Sequence, residues 1–352
     1  MNLKKIIDLH VHTAGLGLGD SGCFVTPKLR RNWRYKIYLR AFGVREEELR
    51  SAGDRLAFRR ISDGVAASQV VAGAVVLALD GVMDGRGELD LTRTEVYIPN
   101  DFVAAETANY PNLFFGASVN PHRCDALERL EQAVELGAVL LKWLPAIQGI
   151  DPADEALIPF YEKLKALDLP LLTHTGDERS FTRSESALGD PQRLHLPLSL
   201  GVKVIAAHAA TTGTNGGERN MERLLRMFPT YPTLYADISS LTQLNKLFYL
   251  PRLLKQDAVL DRLVYGTDFP LISTALVSPW YYAWRIPMRE MARIGSLSNP
   301  WDRDVELKMA LSVPAEVFFR GKELLKLSRA GTGLAGAAAA AGPQEQIRAA
   351  SP

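Results

Sequence analysis

The 352-residue sequence predicts a single-domain (β/α)8 barrel, on three observations. Short β-rich runs alternate with helical stretches eight times between residue 1 and about 328. Most of these runs are apolar on both faces, as parallel strands are when buried between a barrel interior and a helix layer. No glycine-rich phosphate fingerprint follows the first run, which removes the main argument for an open doubly wound sheet.

In chain order, strands are expected over 6–12, 74–80, 113–119, 138–143, 170–175, 203–208, 233–238 and 262–267. A helical insertion of some sixty residues follows the first strand, opening with the glycine-rich stretch 13–22. Thr26-Pro27 starts a helix there and Gly43 stops it, since proline suits a first turn and glycine ends a helix. From Lys28 to Arg40 that helix carries Lys28, Arg30, Arg31, Arg34, Lys36 and Arg40 and no acid. A solvated helix face is the leading reading of this charge run, ahead of an anion-binding lid. Helical spacing recurs over 125–136, where Leu127, Leu130, Ala133 and Val134 share a face, and over 154–167, with Leu157, Phe160, Tyr161 and Leu164. After the last strand, 269–304 holds Trp280, Tyr281, Tyr282 and Trp284, expected to pack at the barrel rim or at a subunit interface, as in a homodimer. Residues 330–352 contain nine alanines, four glycines and two prolines with only two charges. No core can be built from that composition. The expected division is therefore 1–328 as the barrel and 329–352 as a disordered tail.

The charge balance, 41 Lys+Arg against 40 Asp+Glu, argues against nucleic acid or an acidic membrane as partner, because both call for a basic excess. No run approaches the roughly 18 apolar residues of a membrane span. Lys4 and Lys5 precede an apolar run that Asp8, His10 and His12 break, so no secretory segment is expected. Two cysteines, Cys23 and Cys124, fit a reducing compartment, and the expected location is the cytoplasm. A small molecule is the expected partner.

Four of the six histidines fall at strand ends. His10 and His12 sit two apart in the first strand, where alternation turns both to one face with Asp8 a step deeper. His174 and His208 lie at the C-terminal ends of later strands, and Asp268 follows the last strand. In a parallel barrel those ends converge on one mouth. Singly, each has a bland explanation: a chance His-x-His, a satisfied core histidine, an aspartate capping a turn. Four imidazoles and a carboxylate meeting at one mouth are costly unless something binds them, and a divalent transition metal suits that donor set. Zinc is the expected ion, with manganese, iron or nickel as alternatives. His122 is read as a plain loop residue that could rim the pocket, and His195 as a helix or loop residue away from it.

These motifs carry a resemblance. The order Asp-Leu-His-Val-His-Thr (8–13), Leu-Lys-Trp-Leu-Pro (141–145), Leu-Thr-His-Thr-Gly (172–176), Ala-Ala-His-Ala (206–209) and Tyr-Gly-Thr-Asp-Phe-Pro (265–270) resembles the amidohydrolase superfamily. Within it the sequence is most similar to the amidohydrolase-related (amidohydrolase 2) group that contains aminocarboxymuconate-semialdehyde decarboxylase. The resemblance spans roughly 6–325 and implies that His10, His12, His174 and Asp268 bind the metal. It implies that His208 contacts water or substrate, or ligates a second metal. Lys142 falls where binuclear relatives carry a carboxylated lysine; one metal per chain is favoured over two, with Lys142 holding an anionic group of the substrate. The opening motif also resembles phosphoesterases of the polymerase-and-histidinol-phosphatase type, but the histidines their trinuclear site needs are missing.

The function so implied is a metal-dependent hydrolase acting on an amide, ester or lactone, with Asp268 taking the water proton and His208 steadying charge on the attacked carbonyl. The alternative is a decarboxylase or hydratase acting on a ring or unsaturated carboxylate. A third is a metal-binding barrel without catalysis, which the costly set of mouth residues disfavours.

Overall fold

The computed structural model describes residues 6–178 and 184–327. The predicted tail, 329–352, lies outside the described residues. Eight parallel strands follow one another around a single sheet: β1 (Ile6–His12), β2 (Val71–Leu77), β3 (Leu113–Ala117), β4 (Leu140–Trp143), β5 (Leu171–His174), β6 (Val204–Ala207), β7 (Leu234–Asp237) and β8 (Leu263–Val264). β8 is too short to pair with β1 over its own length, so the ring closes through the residues beyond it. The Leu9 amide donates to the Tyr265 carbonyl at 3.4 Å, the Asp268 amide to the His10 carbonyl at 2.9 Å and the His12 amide to the Phe269 carbonyl at 3.0 Å. This closure brings the segment carrying Asp268 alongside the one carrying His10 and His12.

Side chains from strands all round the ring, among them Leu9, Val75, Leu140, Leu172, Ile205 and Val264, meet in one apolar cluster. Strands opposite one another can share such a cluster only inside the barrel. A second, larger cluster packs the helices on the strands, including Trp143 stacked on Phe160 from the helix Ile158–Ala166.

β2 starts and ends three residues before its predicted range. Ile6 pairs with Val71, and beyond Leu77 the chain turns away so that Leu79 forms an antiparallel bridge with Ile98. The predicted helix after Pro27 is two pieces, Pro27–Arg30 and Trp33–Ala41, because Asn32 caps the second by accepting from the Arg34 amide at 3.0 Å. Five of its six basic residues are exposed and Arg30 pairs with Glu46, which fits the solvated face better than a lid. Phe42 packs edge-on against Phe269, tying the insertion to the residue after Asp268. Asp54, fully buried, accepts from the amides of Leu16, Gly17 and Leu18 and from the Ser21 hydroxyl, pinning the loop after β1. Gly17 (φ +80°) is required there, since a Cβ would sit 2.7 Å from the Cys23 carbonyl. No helix among the described residues is long and apolar enough to cross a membrane.

Candidate metal centre

The C-terminal ends of the strands bring His10, His12, Lys142, His174, His208 and Asp268 to one mouth. The imidazole rings of His10 and His12 lie 5.1 Å apart, those of His10 and His208 5.1 Å, and those of His174 and His208 5.2 Å. One ligand atom from each of His10, His12 and Asp268 falls within a 4.8 Å group, and His10, His208 and Asp237 form a second such group. Asp268 Oδ1 is 3.1 Å from His12 Nε2 and 3.6 Å from His10 Nε2, while Oδ2 accepts from the Ser240 hydroxyl at 2.8 Å. His174 falls outside both groups; its Nδ1 is 3.5 Å from Glu178, and its Nε2 is buried without a hydrogen-bond partner among the described residues. His122 lies in a loop and His195 is exposed, bonded to Tyr231 and Gln192.

Three mouth residues strain the backbone to get there. His208 (φ 57°), Ser240 (φ 62°) and Asp268 (φ 61°) all occupy the left-handed region, and Ala209 and Ala210 continue it. Non-glycine residues hold such angles at roughly 1–3 kcal/mol each when the surroundings impose them, a cost that clusters at functional sites.

Beneath the mouth a carboxylate layer fixes the imidazoles. Asp237 closes β7 and lies 2.7 Å from His10 Nδ1, so His10 donates there and presents Nε2 to the mouth. Asp237 also accepts from the amides of His208 and Ser239 and from the Ser239 hydroxyl. Ser239 Oγ lies 2.8 Å from His208 Nδ1. Asp8 accepts from the His10 amide, the Thr267 amide and hydroxyl, and Trp301 Nε1. It thus locks β1 to the segment before Asp268.

The sequence argument missed Asp237, Ser239, Ser240 and the buried Glu178 and Lys246. Asp237 was findable, because a carboxylate ending a buried strand repeats the pattern of His174 and Asp268. The serines and Lys246 belong to no motif.

Electrostatics leave these groups ready to bind a cation. Burial, then the neighbouring Lys142 charge, lowers His10 to about 4 against the pull of Asp237. Burial likewise holds His208 well below its ordinary value and lowers His174. Burial pushes Asp268 up, but His208, His12 and His10 together hold it well below the carboxylate range. Burial brings Lys142 down to about 8. Neutral imidazoles and ionised carboxylates are the forms that ligate metals. The donor set and the unpartnered His174 Nε2 therefore fit a divalent ion of the N/O-preferring class. One group competes for the same electron pair: Lys142 Nζ, fully buried, lies 3.0 Å from His10 Nε2.

A stability prediction follows for protein stripped of metal. The folded value for His10 lies below the unfolded 6.5, so its contribution is full above pH 6.5 and is lost as pH falls toward about 4. We expect the stability lost between pH 7 and pH 4.5, by chemical denaturation, to be smaller in His10→Gln than in wild type by roughly 2–3 kcal/mol, the share of the one group removed. An equal pH dependence in both proteins would contradict this.

Together, fold and mouth define a metal-binding (β/α)8 barrel. The Amidohydrolase family model matches residues 7–296, and the chain belongs to that family, whose members are enzymes that bind a divalent metal. Among solved structures it is similar to an uncharacterised TIM-barrel protein from Bordetella bronchiseptica, with 16% identity and a TM-score of 0.54 over 86% of this chain and 99% of the other. A putative 2-pyrone-4,6-dicarboxylic acid hydrolase from Pseudomonas putida has 14% identity and a TM-score of 0.52 over 93% and 98%. The apo IDCase of Metarhizium anisopliae has 13% identity and a TM-score of 0.50 over 92% and 97%. These likenesses concern the fold. None of the curated proteins compared with the chain matches it.

Proposed function

We propose that the protein is a divalent-metal-dependent hydrolase of a small molecule bearing an amide, ester or lactone, with one zinc ion per chain. Its two free thiols suit a reducing, cytoplasmic setting. His10, His12, His174 and Asp268 would hold the ion. When bound, such an ion supplies Lewis acidity and lowers the pKa of a water ligand from about 16 toward 7.

The observation that carries the reading is the setting of Asp268. Its carboxylate is kept ionised within reach of three imidazoles and is oriented by the Ser240 hydroxyl. A carboxylate so held accepts the proton of an attacking water at neutral pH and returns it to the leaving group. His208 Nε2, 4.0 Å from Asp268, steadies charge developing on the attacked oxygen. Asp237 keeps His10 in one tautomer throughout. Lys142 holds an anionic part of the substrate.

A second reading, loss of carbon dioxide from a carboxylate, draws support from the two buried ammonium groups at the mouth, Lys142 and Lys246. The decisive assay gives zinc- or manganese-loaded protein a panel of esters, lactones and amides beside ring carboxylates, with carbon dioxide detection. Hydrolysis of a panel member is expected. Carbon dioxide release without any hydrolysis would replace this function with the lyase.

A further inference from the structure

Lys246 ends the short 3-10 turn Leu244–Lys246 in the loop after β7. The loop is tethered to the mouth: Gln243 Nε2 donates to Ser240 Oγ at 2.6 Å, and Ser240 Oγ donates to Asp268 at 2.8 Å. The Lys246 amide in turn donates to the Gln243 carbonyl at 2.8 Å. Lys246 is 7% exposed, yet no hydrogen bond or ion pair engages its ammonium among the described residues. Burying a lysine without such a partner is costly. Lys142 is the cation that most lowers His10 and Lys246 the one that most lowers His208, and both lower His174.

Around the imidazoles, the buried carboxylates of Asp237, Asp268 and Glu178, with Asp8 a step deeper, share the mouth with the buried ammoniums of Lys142 and Lys246. Asp237 and Asp268 spend their hydrogen bonds on imidazoles, backbone amides and serine hydroxyls and none on Lys246. A buried ammonium is stable only when paired, so Lys246 calls for an anion.

We propose that Lys246 forms an anion subsite on the His208 side of the mouth and seats a carboxylate of the substrate there. This deepens the proposed function and rests on the mouth being its substrate site. Lys246 is then a specificity residue that selects anionic over neutral substrates.

The test is calorimetric titration of metal-loaded protein with benzoate and with its neutral counterpart, benzamide. Wild type should bind benzoate more tightly than benzamide. Lys246→Gln should weaken benzoate about tenfold or more, leave benzamide unchanged and keep the same metal content, as expected for losing one charge-assisted hydrogen bond. Lys246→Arg should recover most of the affinity, with circular dichroism confirming that both variants fold. Equal binding of the two probes by wild type, unchanged benzoate binding by Lys246→Gln, or loss of metal from that variant would each overturn the proposal. Binding is read without turnover, so a failure here leaves the hydrolase assignment standing, and failure of the hydrolysis assay leaves this result readable.

Discussion

Asp268→Asn is expected to lower kcat by roughly 10²–10⁴ while the protein keeps most of its metal. Asparagine preserves the shape and an oxygen toward His12, and the Ser240 contact can persist with either amide atom. What disappears is the basic electron pair that the three imidazoles keep available by holding Asp268 ionised. Metal content by elemental analysis, measured on the same preparation as the rate, separates the outcomes. Loss of metal in step with the rate would make Asp268 a ligand first and a base second. Full activity would remove it from the mechanism.

The other large effect concerns the metal itself. His12→Ala should release the ion and abolish activity with little change in apo stability, because His12 is part-exposed and its ring is held mainly by Asp268. His10→Ala should also lose the metal, but at a further cost. Asp237 is fully buried and would lose the His10 N–H 2.7 Å away, leaving a charged acceptor under-satisfied for about 1–3 kcal/mol. Lys142→Ala is the control: metal stays at one per chain and KM rises, because only an anion contact is removed. Two metals in wild type, falling on Lys142→Ala, would contradict the one-metal assignment and make Lys142 a bridging group. Elemental analysis and denaturant unfolding of the three variants decide between these.

Within the sequence, the fold and the mouth histidines were legible for one physical reason. Parallel strands buried on both faces announce themselves as short apolar runs, and a polar residue that ends such a run must lie at the rim. His10, His12, His174, His208 and Asp268 all carry that signature, and the structure gathers them at one mouth. The boundaries of β2 were less legible, because Val71–Leu77 lies in an apolar run that continues to Leu79 and only pairing with β1 and β3 fixes where the strand stops. The break at Asn32 is a local capping choice inside a helical pattern, and both readings suit the same residues.

The sequence by itself determined the barrel and the donor types that gather at the C-terminal ends of its strands. Tertiary structure alone decided how those donors are tuned. Asp237 fixes His10, Ser239 meets His208, Ser240 holds Asp268, and Asp8 joins β1 to Thr267 across more than 250 residues of chain. Such partners are set by how the ring closes and how the loop after β7 folds back over it. Hydrogen bonds between residues so far apart leave no periodicity or spacing in the chain. The same holds for Lys246, whose burial in the loop after β7 no motif announces, whereas Lys142 was legible from its strand and only closure sets its Nζ 3.0 Å from His10 Nε2.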